Sequence, residues 1–383
     1  MALKISKEQV RALVGFYSGT FTIMSILVPV PILGAVAQAF PDTPAMLIQM
    51  LVSCSSFAAI AGSFVFARLA RYMYRRTGML ISTAIYLVGL LPVAFHDSIY
   101  PALFAAIAVG FAMGGVQNTV GAMITDYFGL CSVFVGLGGT LYTMVAGRLG
   151  AENWWMAYYT YLIIAVVLVV MFIVLPKGKK EVAETGKTQR ARIPREVIVV
   201  SLMVFFYFSC NQVFSNNISM FLAQTGLGDT VMSGNVSSVN TLVGAIGGLL
   251  VIPVHRLFKR QTLTVNAILG AIGAVLIFTA GSIMPVFAGA FAMSFAYAVY
   301  NAISSQYVSE ASDTVGMAFN LAILNSSGSL GNFFSPMMIG GVAGAFGGTA
   351  ADSFMVCAAL AAIVGVVSAV YFAKVKSPKA VSS

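Results

Sequence analysis

Residues 176–196, PKGKKEVAETGKTQRARIPRE, form the one long polar stretch in a chain of 383 residues, and their central position decides the architecture. On both sides the sequence is a succession of apolar runs. The chain is 59% apolar and 9% charged, with a mean hydropathy of +0.92, whereas soluble domains carry about 25% charged residues. Its main solvent is therefore the bilayer. A hydrocarbon core of about 30 Å is crossed by about 20 apolar residues in a helix. Twelve such runs are readable, at 12–38, 45–67, 77–95, 100–126, 131–148 and 156–175 before the polar stretch, and at 197–223, 230–254, 262–281, 284–307, 316–344 and 352–373 after it.

The charges test this count. Twenty of the twenty-one Lys and Arg residues fall in alternate gaps. Lys4, Lys7 and Arg11 precede the first run, Arg68, Arg71, Arg75 and Arg76 follow the second, and seven lie in the central stretch. Arg256, Lys259 and Arg260 follow the eighth run, and Lys374, Lys376 and Lys379 follow the last. If every run crosses, all twenty lie on one face and Arg148 alone lies on the other. A miscounted span would scatter them over both faces. The positive-inside rule then predicts a multi-pass protein of the cell membrane with both termini in the cytoplasm.

The net charge of +9 does not imply a nucleic-acid partner. The cations are spread over five segments that face anionic lipid headgroups. The expected partners are the lipid bilayer and a small-molecule solute. Basic residues, an apolar stretch and Ala35-Val36-Ala37 imitate a secretory signal. That stretch is too long for a signal core, so it reads as a retained first helix. Cys54, Cys131, Cys210 and Cys357 have unrelated spacings and suggest neither a disulfide framework nor a metal site.

The halves on either side of the polar stretch repeat one another. Leu69-Ala70-Arg71 through Arg75 corresponds to Val254-His255-Arg256 through Arg260, an offset of 185. Phe111-Ala112-Met113 and Tyr127 correspond to Phe291-Ala292-Met293 and Tyr307 at 180, and Leu137-Gly138, Met144 and Gly147 to Leu330-Gly331, Met337 and Gly340 at 193. The common order of these matches gives them weight. One difference stands out. Tyr127 to Leu137 spans 10 positions and Tyr307 to Leu330 spans 23, so the fourth–fifth connection is 13 shorter than its counterpart.

The six-plus-six layout, the basic central linker and the basic turn after the second span of each half resemble the major facilitator superfamily over nearly the whole chain. The turn Leu69-Ala70-Arg71-Tyr72-Met73-Tyr74-Arg75 resembles the loop signature of that family, in degenerate form. Ala70 stands where the family has an acid, Met73 where it has Gly, and Tyr74 where it has a basic residue. The resemblance implies an all-α integral membrane protein of twelve transmembrane helices in two six-helix bundles related by a pseudo-twofold repeat. The bundles would be 1–175 and 197–383, joined by the basic linker 176–196, and the chain would act as a monomer. It also implies gating groups at the cytoplasmic turns: Arg71, Arg75, Arg76, Arg256, Lys259 and Arg260. Asp126, at the cytoplasmic end of the fourth span, is the candidate partner of Arg71, in an ion pair made in one conformation only.

By the same resemblance the first, fourth, seventh and tenth helices line a central cavity. They carry Tyr17 and Thr20, Gln117 and Asn118, Asn211 and Gln212, and Tyr297, Tyr300 and Asn301. Amides and phenols donate and accept hydrogen bonds without net charge. All twelve acids and both histidines, His96 and His255, lie in tails, gaps or span ends. The expected solute is therefore a small neutral or zwitterionic organic molecule. Glycines of the fifth span (Gly136, Gly138, Gly139, Gly147) and the eleventh (Gly328, Gly331, Gly340, Gly341) are expected to let helices approach closely between the bundles. Pro29, Pro31 and Pro336 are expected to bend their helices.

Enzyme chemistry is not expected. There is no phosphate loop, no metal-spaced cluster and no Ser/His/Asp set, and no cofactor is implied. The reading is a secondary active or facilitative transporter working by alternating access. Two alternatives stay open. One is efflux of amphipathic toxic compounds, which the 20 Met and 28 Phe would suit but which the fifth span, lacking the Gly-Pro signature of drug/proton antiporters, does not favour. The other is a transporter-like receptor or assembly factor that moves no solute.

Overall fold

The computed structural model of the chain describes residues 7–70, 72–121, 128–175, 192–313 and 316–374. All regular structure among them is helical. The helices fall in the order the hydropathy predicts. The first rod runs from Lys7–Thr22 through short 3₁₀ turns at Ile23–Leu27 and Val30–Ile32 to Leu33–Ala39. Ala45–Leu69 is the second. The third joins Arg75–Ile85, the 3₁₀ segment Tyr86–Leu90 and Leu91–Ala94. Tyr100–Gly121 and Phe128–Leu149 are the fourth and fifth, and Trp154–Tyr161 (3₁₀) with Leu162–Val174 the sixth. In the second half, Arg195–Thr225, Thr262–Phe278, Ile283–Ala311, Met317–Gly344 and Ala350–Lys374 are unbroken. The eighth is Thr230–Leu249 followed by Val251–Phe258.

Local chemistry sets several of these boundaries. The seventh helix stops at Gly226, whose φ of +68° lies in the left-handed region that glycine adopts without a Cβ penalty. Before the twelfth, Thr349 and Asp352 cap reciprocally. The Asp352 amide donates to Thr349 Oγ1 at 3.2 Å and the Thr349 amide to Asp352 Oδ2 at 2.9 Å.

Nine candidate spans among the described residues are long and apolar enough to cross a membrane on their own. One of them, Val251–Phe278, joins what the sequence reading divides between the eighth and ninth spans. In the fifth helix the apolar part is the shorter Val133–Leu149. Thr230–Leu249 and Met317–Gly344 fall outside the nine because they are rich in Ser, Asn and Gly, residues that pack helices together rather than face lipid.

Residues cluster into two compact units. The first is Met1–Thr185 with Asp229–Ser238, the second Gly186–Gly228 with Val239–Ser383. The start of the eighth helix is counted with the first unit because the fifth helix holds it. Thr143 Oγ1 and Ser238 Oγ are 3.0 Å apart, Ser238 Oγ donates to the Thr140 carbonyl at 3.0 Å, and a Cβ on Gly147 would lie 2.9 Å from Gly234 Cα.

Within the units the internal repeat is physical. A Cβ on Gly138 would lie 2.2 Å from the Phe21 carbonyl oxygen, and one on Gly331 would lie 2.2 Å from the Phe205 carbonyl oxygen. The fifth helix thus presses on the first as the eleventh presses on the seventh. Likewise Ser55 Oγ donates to the Ala106 carbonyl at 2.9 Å, and Asn240 Nδ2 to the Ala290 carbonyl at 3.1 Å. One expectation is corrected here. Gly138, Gly328 and Gly331 serve close approach inside a unit and not between bundles, because the atoms they admit (Phe21, Phe208 and Phe205) belong to the same unit.

Candidate functional site

In the first unit Tyr17 is half-buried, with its ring stacked on Phe134 at 4.4 Å. Gln117 is exposed. Asn118 lies within one turn of the described end of the fourth helix. With Thr119 it lines a small crevice, whose other side is the second–third turn: Ala70, Met73, Tyr74 and Arg75. Asn118, expected among the solute-binding groups, and Arg75, expected among the gating groups, therefore share one place. Arg71 and Asp126, the expected latch, lie outside the described residues.

Arg76 has a different task. Its Nη2 donates to the Phe172 carbonyl at 2.5 Å, and its guanidinium sits 5.4 Å from the Phe172 ring centroid. Arg11 Nη2 donates to the neighbouring Ile173 carbonyl at 3.2 Å. The last carbonyls of a helix have no intrahelical donors and carry partial negative charge. Two arginines from the first and third helices thus cap the sixth. Arg76, expected among the gating groups, is thus held at the end of the sixth helix.

A second set of residues escaped sequence reading. Pro29 has no N–H, so the Ser25 carbonyl loses its normal helical donor four residues on. The backbone tightens to 3₁₀ there, so the Ser25 carbonyl accepts the Val28 amide at 3.1 Å, and Tyr161 Oη donates to the same carbonyl at 3.1 Å. Around this contact Tyr86, Tyr142, Tyr158 and Tyr161 are all buried. Gly89 makes room for Tyr161, since a Cβ there would lie 2.7 Å from its ring. The sequence offers a trace of this core in the aromatic-rich run Trp154–Tyr161, but nothing in the run points to Ser25.

In the second unit the seventh helix carries most of the amides. Asn211 is half-buried. Gln212 is 9% exposed, and its Nε2 donates to Asn216 Oδ1 at 3.1 Å; Asn217 Nδ2 donates to the Val213 carbonyl at 3.1 Å. Tyr300, expected to line a cavity, is fully buried and stacked on Tyr207 at 4.1 Å, so it is a core residue in this state. Tyr207 Oη in turn donates to the Asn266 carbonyl at 3.2 Å. Tyr297 is half-buried against Phe208, and Asn301, one helical turn on, is exposed. Arg256, Lys259 and Arg260 are exposed at the end of the eighth helix and in the following turn. Lys259 takes a φ of +46°, a backbone conformation that side chains other than glycine rarely adopt.

Charge is confined to the ends. Every described Asp, Glu, Lys and Arg sits in a connection or in the terminal turns of a helix, where water or headgroups can reach it. Among the described residues no three His, Cys, Asp or Glu side chains come together as a metal site.

Among the described residues, long apolar helices whose interiors are polar but uncharged are those of a multi-pass membrane protein. Its family follows from sequence. The profile of the Major Facilitator Superfamily matches residues 12–322, and the chain belongs to that superfamily of transporters, which are not enzymes. Solved structures share the fold. The bacterial homolog of the human lysosomal transporter Spinster, in an inward-facing and unoccupied conformation, superposes with a TM-score of 0.76 at 14% identity, covering 97% of each chain. The nucleoside transporter NupG gives 0.77 at 12% identity, covering 93% of this chain and 99% of its own. A D-xylose-proton symporter gives 0.73 at 13% identity, covering 96% and 98%. No curated protein matches the sequence significantly. The chain is thus a multi-pass membrane transporter, of a family whose members bind small molecules within the membrane.

Proposed function

We propose that the protein carries a small neutral or zwitterionic organic solute across the cytoplasmic membrane by alternating access, with both termini in the cytoplasm and the halves 1–175 and 197–383, joined by 176–196, as its moving bodies. One observation carries the reading. The helices that the family resemblance gives to the transport path present amides and phenols and, among the described residues, no charge away from their ends. An ionised solute group held away from water without a counter-charge would be strongly disfavoured, whereas hydroxyl, amide or paired zwitterionic groups can be matched by hydrogen bonds. Of the expected solute-binding side chains, Gln212 and Tyr300 are buried and Asn118 borders the second–third turn, which leaves Tyr17, Gln117, Asn211, Tyr297 and Asn301 as the proposed solute contacts.

Counterflow tests it. Purified protein is reconstituted into liposomes preloaded with a pooled metabolite extract, and exchange into the vesicles is followed by mass spectrometry. The expected result is exchange of an uncharged or zwitterionic compound, reduced in Asn211→Ala. Exchange of a singly charged anion or cation instead would overturn the reading.

A further inference from the structure

Cys210 in the seventh helix and Cys357 in the twelfth are 2% and 1% exposed, and both carry free thiols. They come from distant parts of the sequence, 147 positions apart. The Cys357 thiol donates to the Cys210 carbonyl at 3.2 Å, which brings the two cysteines together across the packed helices. Helix packing within one unit brings them together, so the pair is already ordered before any ligand arrives. Two neighbouring thiols in an apolar interior are a poor site for Mg²⁺ or Ca²⁺, which require oxygen ligands, and incomplete for Zn²⁺, which takes four. They suit a soft ion that is satisfied by two sulfurs in line.

We propose that Cys210 and Cys357 form a binding site for a soft, two-coordinate metal ion of the Cu⁺, Ag⁺ or Hg²⁺ class. On binding, each S–H bond breaks, its proton passes to bulk water, and two sulfur–metal bonds form without electron transfer. Cys210 directly precedes Asn211 and Gln212. The metal would tie together two helices of one unit, the seventh and the twelfth.

The test uses the full chain, purified in detergent, in a Cys54→Ser, Cys131→Ser background so that only the pair remains. HgCl₂, which crosses apolar barriers as a neutral molecule, is the probe. Bound mercury is counted by elemental analysis, and residual thiols are counted after denaturation. The expected result is one mercury per chain with both thiols consumed. Its retention against excess 2-mercaptoethanol should exceed that of Cys210→Ser or Cys357→Ser by roughly 100-fold, the gain of an intramolecular second bond. Two mercury ions per chain would overturn the proposal. So would retention equal to that of the single variants, or thiols that react only after unfolding. The readout needs no transport, so it stands or falls separately from the solute assignment.

Discussion

Replacing Gly138 by Ala tests the internal repeat most directly. The added methyl carbon would sit 2.2 Å from the Phe21 carbonyl oxygen, a backbone atom that cannot rotate away. An ordinary contact needs at least 3.4 Å, so the first and fifth helices must separate by about 1 Å, and overpacking of this kind costs roughly 1–3 kcal/mol. Alanine's better helix propensity offsets up to about 1 kcal/mol of it. The folded fraction should fall accordingly, with a penalty of about 1–2 kcal/mol in a reversible denaturant titration of the purified protein. Gly331→Ala should cost the same, because its methyl would meet the Phe205 carbonyl oxygen at the same 2.2 Å. Gly341→Ala is the control. Nothing lies within 4 Å of a Cβ there, and the variant should be neutral or slightly stabilised. If Gly138→Ala and Gly331→Ala were as stable as Gly341→Ala, the close helix contacts would be wrong and the structural repeat with them.

Further variants probe the other contacts. Tyr161→Phe removes one of the two donors on the Ser25 carbonyl, the other being the Val28 amide, and should cost about 0.5–1.5 kcal/mol; in a Pro29→Ala background, where a further backbone N–H becomes available, the same change should cost less, and a double-mutant cycle measures the difference. Arg76→Gln should destabilise the protein by about 1 kcal/mol in thermal unfolding, and Arg76→Lys by less, through loss of the cap on the sixth helix. Asn211→Ala should weaken solute binding roughly tenfold, as expected for one lost hydrogen bond. Asn118→Ala should leave affinity within about twofold and instead alter cysteine accessibility at the second–third turn, since Asn118 lines a crevice with that turn. Equal losses of affinity in both would return Asn118 to the solute path.

The candidate site was partly legible in sequence. Asn211 and Gln117 stand out because a polar residue in an apolar run is a local signal, and both keep accessible surface in the structure. Tyr300 carries the same signal and means something else. Its ring is claimed by Tyr207, and no local pattern reveals a partner 93 positions away. Arg76 reads as one topology-setting cation among four in its turn, yet it reaches a carbonyl of the sixth helix, |i−j| = 96. Pro29 announces a break in the first helix, whereas the hydroxyl that joins the Val28 amide on the Ser25 carbonyl comes from Tyr161, 136 positions away.

The sequence by itself determined the solvent, the order of the helices, the repeat and the family, because these rest on composition, run length and charge placement, which are properties of contiguous residues. Only the tertiary structure decided which glycines admit a neighbouring backbone, which arginines cap a helix, which tyrosines are core, and that Cys210 meets Cys357. Those outcomes depend on which face each helix turns toward its neighbours. In chains this uniformly apolar the face is set by packing of whole helices, and the hydrophobic pattern along any one of them carries little record of it.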